Sequence, residues 1–221
     1  MADIFLSYKR EDRDKVRPLV EALQAQGWSV WWDTRIGVGE TWDRVIETEL
    51  AAAKCVVVVW SKVSVESRWV RSEAHEGLER ECVIPVIIER VKPPLAFRLV
   101  QSTDLTNWRG DASDAEFADV AAGVRRTFQE SSATAAIGEY TKAIEIDPKD
   151  VDSLLRRGQA HLAKKDYVLA IADFTKAIES TEGSRQFLWS VYRARAQAYE
   201  GLGDGDSARA DHRAAFEIEW A

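Results

Sequence analysis

Between Ile4 and about Phe128 short apolar runs alternate with amphipathic stretches, the pattern of a parallel sheet flanked by helices. The strands expected are Asp3 to Tyr8, Trp28 to Trp32, Cys55 to Trp60, Cys82 to Ile88 and a weaker Ser102 to Leu105. Helices are expected near Asp12 to Gln26, Thr41 to Ala53, Glu66 to Arg80 and, briefly, Leu95. A last one starts at Ser113, where Glu116 stands three residues on in capping-box spacing, and runs to Phe128. The third strand, CVVVVW, is apolar at every position, so both its faces must be covered and it belongs at the centre.

After Gln129 strand signals stop, and Ser131 to Ala136 (SSATAA) reads as the seam between residues 1–130 and 131–221. Beyond it Ala136, Tyr140 and Ala143 reappear as Ala170, Phe174 and Ala177, each 34 positions later, within a repeated AI-x-x-[YF]-T-K-A-I-E. A weaker third copy through Ala208, His212 and Ala215 is offset by 38, with Gly201 to Gly205 as the expected inserted turn. Period, small residues and aromatics resemble the tetratricopeptide repeat, about two and a half times over. Such arrays bury each repeat only against its neighbours and offer a surface to a protein partner or a second copy.

The chain of 221 residues is 46% hydrophobic and 30% charged, with net charge -7. Divided at the seam, 18 basic face 22 acidic residues in the first part and 12 face 15 in the second, so neither half hides a basic domain. That balance speaks against a nucleic-acid or anionic-membrane binder, because both need a basic face. No run approaches the roughly 20 apolar residues of a membrane span, and the opening MADIFLSYKRED lacks the apolar stretch of a signal peptide. With Cys55 and Cys82 reading as buried thiols, a cytoplasmic protein is expected. Seven of nine tryptophans lie between Trp28 and Trp108.

Other chemistries fall away on spacing. Gly37-Val38-Gly39 lacks the third glycine of a dinucleotide fingerprint. His75, His161 and His212 are too scattered for a metal site, so none is expected. A receiver domain of the same sheet order needs an aspartate ending the third strand, where Trp60-Ser61 stands.

DIFLSYKRED, GWSVWWDTRIGVGETW and SRWVRSEAHEGL, in that order, resemble a Toll/interleukin-1 receptor (TIR) domain of the bacterial kind over residues 1–130. The resemblance implies an α/β fold, a flavodoxin-like five-stranded parallel sheet followed here by all-α repeats. In such sheets the crevice lies at the carboxyl ends of the strands, where strand order reverses, which puts Ser7, Tyr8, Lys9 and Arg10 on one rim with Trp60 and Ser61. It implies NAD as substrate and no cofactor. The nicotinamide of NAD is cationic and leaves neutral, so one carboxylate beside an oxocarbenium-like centre suffices where most glycosidases need two. By carry-over Glu73 of Trp-x-x-x-Glu is the catalytic residue, Trp69 packs on substrate, Tyr8 and Arg10 line the pocket, and Asp33 and Arg35 lie in the loop that closes it. Trp42 and Trp60, at element ends, are expected on the pocket rim. The product is linear ADP-ribose or a cyclic isomer; self-association through TIR domains and a place in antiphage signalling are further implications. The alternative is a non-catalytic scaffold working through TIR-to-TIR contact and protein recruitment.

Overall fold

A computed structural model describes residues 2–32, 42–181 and 184–220. Two compact units divide it, Met1–Phe128 and Gln129–Ala221.

The first unit holds strands β1 (Ile4–Ser7), β2 (Val30–Trp31), β3 (Cys55–Trp60), β4 (Val83–Ile87) and β5 (Thr103–Asp104). They form one parallel sheet in the order β2-β1-β3-β4-β5. The helices are α1 (Arg13–Ala25), α2 (Trp42–Ala52), α3 (Arg68–Glu79) and the start of α4 (Ala115–Ile146). β3 is buried at all six positions. Alternation of side chains along the strands then makes two cores. Ile4, Leu6, Val57 and Val59 meet α1 (Leu19, Val20, Leu23) and α4 (Phe117, Val120, Val124) on one face. Phe5, Val56, Val58 and Trp60 meet α2 (Ile46, Leu50) and α3 (Val70, Ala74) on the other.

α3 lies unusually close to the sheet. A Cβ on Gly77 would come within 2.9 Å of Val56 Cβ, so only glycine permits this approach. Ser67 caps the helix by accepting from the Val70 N–H.

The second unit contains the rest of α4, then α5 (Val151–Ala163), α6 (Tyr167–Ser180), α7 (Arg185–Leu202) and α8 (Gly205–Trp220). Ala170, Phe174 and Ala177 of α6 are fully buried with Leu154 of α5 and Val191 of α7. A Cβ on Gly158 would fall 2.6 Å from the Phe174 ring, and one on Gly201 would fall 2.3 Å from the Tyr167 ring. Both glycines therefore mark points where neighbouring helices touch. One polar motif recurs. Arg157 donates through Nε and Nη2 to both oxygens of Asp173 (2.8 and 2.6 Å) and through Nη1 to Thr141. Arg195 does the same to Asp211 (2.7 Å twice) and Thr175.

Two expectations are corrected. The two units divide close to the expected boundary, but the helix expected to end at Phe128 runs on through Ser131 to Ala136 and ends at Ile146. The segment has neither glycine nor proline, and the Thr134 hydroxyl donates back to the Glu130 carbonyl one turn earlier, which a helix tolerates. The four extra residues of the last repeat are also not at Gly201 to Gly205. Arg157 and Arg195 already stand 38 apart, upstream of Gly201, and α7 has 18 residues where α5 has 13. The insertion is an added turn at the start of α7, and the α7–α8 turn is short, with Gly203 at φ 85° closing α7.

Candidate active site

The inward stripe of α3 is Val70, Glu73, Ala74 and Gly77, positions i, i+3, i+4 and i+7, so a carboxylate stands where an apolar residue belongs. Glu73 is only 7% exposed. It lies over the end of β1, where the Ser7 hydroxyl donates to its Oε2 at 2.5 Å. Burial lifts its pKa from 4.5 to about 7, opposed by hydrogen bonds from Ser7 and from Trp69.

Beside it, between α2 and α3, is a cavity of about 450 Å³ lined by Ile46, Glu47, Leu50, Trp69, Glu73 and Glu76, among others. Trp69, on its wall, is 47% exposed. An aromatic plane, a buried carboxylate that changes charge near neutral pH, and two more carboxylates suit a flat, positively charged group beside a reacting centre. Among the described residues no group of three His, Cys, Asp or Glu is placed to hold a metal ion.

The other expected residues are placed as follows. Trp60 is not on a rim: it is fully buried, its ring 5.2 Å from that of Phe97. It follows Val56 and Val58 on the inward face of β3, and the 3-10 turn Leu95–Phe97 covers it. Tyr8 packs with Trp32 at 6.2 Å against the α1 and α4 core, the face of the sheet opposite Glu73. Arg10 is exposed in the 3-10 turn Arg10–Asp12. Trp42 opens α2, but its side chain, like Asp33 and Arg35 altogether, lies outside the described residues.

Two features were missed by sequence reasoning. One is the bond from Ser7 to Glu73: Ser7 itself is expected on the rim, but its partner is 66 residues away, and only its parity with Phe5 on β1 hinted at the face it shares. The other is a polar knot at the strand ends. Buried Asp12 accepts from the Ser61 hydroxyl at 2.5 Å and from Lys15 at 2.8 Å. Lys15 also donates to Glu89, which accepts the Lys62 N–H. Ser61 and Ser64 bond each other's backbone N–H through their hydroxyls. The two carboxylates raise the Lys15 pKa, and Lys15 lowers that of Glu89. This knot ties the exits of β1, β3 and β4 together and so fixes the turn from which α3 starts.

A family model described as TIR domain matches residues 4–121, and one described as tetratricopeptide repeat matches residues 139–172. Among curated proteins, 2′ cyclic ADP-D-ribose synthase BtTIR of Bacteroides thetaiotaomicron is 29% identical over 117 residues, 47% of this chain and 41% of that protein. NAD(+) hydrolase TcpA of Theionarchaea archaeon (strain DG-70-1) is 33% identical over 91 residues, 38% of this chain and 28% of that protein. The chain thus spans less than half the length of either relative. Among solved structures, the TIR domain of the Toll-related receptor TRR-2 from Hydra magnipapillata superposes with a TM-score of 0.50 at 19% identity, over 57% of this chain and 99% of that one. That likeness is one of fold.

Proposed function

The chain belongs to the TIR domain family, and on that premise we propose that its first unit cleaves the nicotinamide–ribose bond of NAD. The observation that carries the reading is Glu73, a carboxylate buried in the apolar stripe of α3 at the wall of a cavity with Trp69 beside it. The names of two relatives, a cyclic ADP-ribose synthase and an NAD hydrolase, support it.

In this mechanism Trp69 stacks on the nicotinamide ring, and Glu47 and Glu76 favour its positive charge. The C1′–N1 bond breaks and its electron pair passes to the ring nitrogen, so nicotinamide departs neutral without a general acid. Ionised Glu73 stabilises the positive charge left on the ribose carbon. Water then attacks C1′ and passes one proton to solvent, giving ADP-ribose; attack by a hydroxyl of the same ADP-ribosyl group, with its proton likewise lost to solvent, gives a cyclic isomer. The scheme consumes NAD and, for hydrolysis, water, and calls on no cofactor.

The test is nicotinamide release by the purified protein, with products identified by mass spectrometry. The expected result is release at a rate that Glu73→Gln lowers at least about a hundredfold. Full turnover in that variant removes Glu73 from the chemistry, and no release from the intact protein leaves the non-catalytic scaffold in its place. Activation by self-assembly belongs to the same proposal, with the repeats as protein-contact surface. It requires specific activity to rise with protein concentration. A cytoplasmic role in antiphage signalling is tested by plaque counts on bacteria carrying the wild type or Glu73→Gln.

A further inference from the structure

Ser7 ends β1, is 1% exposed, stands on the same face of the sheet as Phe5, and bonds to α3 through the Glu73 carboxylate. A buried hydroxyl without an acceptor is costly, and a buried carboxylate without donors is costlier. Each removes the other's cost, and the contact locks a long, rotatable glutamate side chain against a rigid strand. The strand is itself held in register with β3, Ser7 opposite Val58, so the donor cannot drift.

We propose that Ser7 is a positioning residue for Glu73: its hydroxyl holds the carboxylate at the cavity wall in one orientation and favours the charged form. This rests on the reading of Glu73 as the group that faces the ribose. The hydroxyl acts alongside the Trp69 indole, the other donor to the same carboxylate. The charged groups sharing the cavity are Glu47 on α2 and Glu76 on α3. β1 and β3, packed beneath, carry none. Because both glutamates are retained in a Ser7 variant, a change in Glu73 titration on substitution reports the hydroxyl itself.

The experiment pairs two readouts on the full chain. Carboxyl carbon-13 NMR of glutamate-labelled protein, with Glu73→Gln assigning the resonance, gives the Glu73 midpoint without any substrate. Rates of nicotinamide release across pH 5.5 to 9 give kcat and KM. Ser7→Ala is expected to move the Glu73 midpoint upward by about one pH unit, and to move the alkaline-rising limb of kcat with it. The high-pH plateau of kcat should fall about ten- to a hundredfold while KM changes little, the mark of lost orientation at the reacting centre. Ser7→Thr, which keeps the hydroxyl and suits a strand, should restore the midpoint and most of kcat.

An unmoved midpoint in Ser7→Ala overturns the proposal. So does an equal loss in Ser7→Thr, which would show that the site needs serine's volume and not its donor. If the wild type releases no nicotinamide, the NAD reading fails by itself, and the NMR midpoints still decide whether Ser7 holds and tunes Glu73.

Discussion

A carboxylate in a hydrophobic stripe is a cost to the fold, and Glu73 allows that cost to be measured. Its pKa of about 7 in the folded chain lies above the 4.5 of an exposed glutamate. Below pH 4.5 both states hold the proton and nothing is lost. Between these values the unfolded chain has released its proton and the folded one has not, so stability falls as pH rises, by up to about 3 kcal/mol above pH 7. Glu73→Gln removes the charge and keeps an acceptor for Ser7. Urea unfolding should therefore show the variant more stable than wild type by up to that amount at pH 8 and equal to it at pH 4; equal stability at both would mean that Glu73 is not buried as described. The same titration gives activity that rises through about pH 7, because the ionised form stabilises the ribose cation. The Trp-x-x-x-Glu register was legible in the sequence, whereas the burial of Glu73 in the stripe of Val70 and Ala74 was not, because glutamates crowd this helix as they would a solvated face. Ser7 was legible as a rim residue but its bond to Glu73 was not, since a contact across 66 residues exists only once β1 and α3 have packed. Trp60 was misread because the end of a strand is not the end of its burial: one 3-10 turn, with Phe97, covers it.

At the scale of elements, close approach does more than sequence propensity suggests. Gly77→Ala would ordinarily favour a helix by roughly 1 kcal/mol. Here the new methyl meets Val56 Cβ, an atom anchored to the central strand that cannot swing aside. The expected result is a loss of about 1–3 kcal/mol, read from denaturant midpoints, together with reduced nicotinamide release, because α3 must lift and Glu73 is one turn away. Val56→Ala in the same chain should recover part of the activity. The Arg157–Asp173 and Arg195–Asp211 pairs carry a second prediction. Both are well shielded, so removing one partner strands a charge, and Asp211→Ala should cost about 3 kcal/mol. Replacing Arg195 and Asp211 together by leucine and methionine should cost less than Asp211→Ala alone; a strictly additive double variant would refute the coupling. The sequence displayed the repeat through its small and aromatic positions and concealed these pairs. Arginine and aspartate 16 apart look like ordinary surface charge until the hairpin brings them together. SSATAA similarly looked like a linker because serine and threonine are common in linkers, yet with no glycine or proline to stop it α4 continues.

For the whole chain, a net charge of -7 divides into two modest acidic halves, and each unit has a core of its own. The sheet class, strand count and central β3 followed from apolar runs, whereas the edge strands β2 and β5 shrank to two residues each because less of the sheet pairs there than the runs suggested. Strand order has one more consequence, in time. β1 pairs with β3, Ile4 opposite Cys55, so during synthesis β1 waits about fifty residues for its principal neighbour. In the second unit α5 meets α6, and α6 meets α7, through neighbours in sequence. Local contacts close quickly and long-range parallel pairings slowly. Pulse-labelled hydrogen exchange during refolding should find the amides of α5 to α8 protected before those of β1 and β3. Mutations that loosen the end of β1 then lengthen the interval in which the valine-rich β3 lacks that neighbour, and their cost should appear as aggregation on synthesis as well as lost turnover.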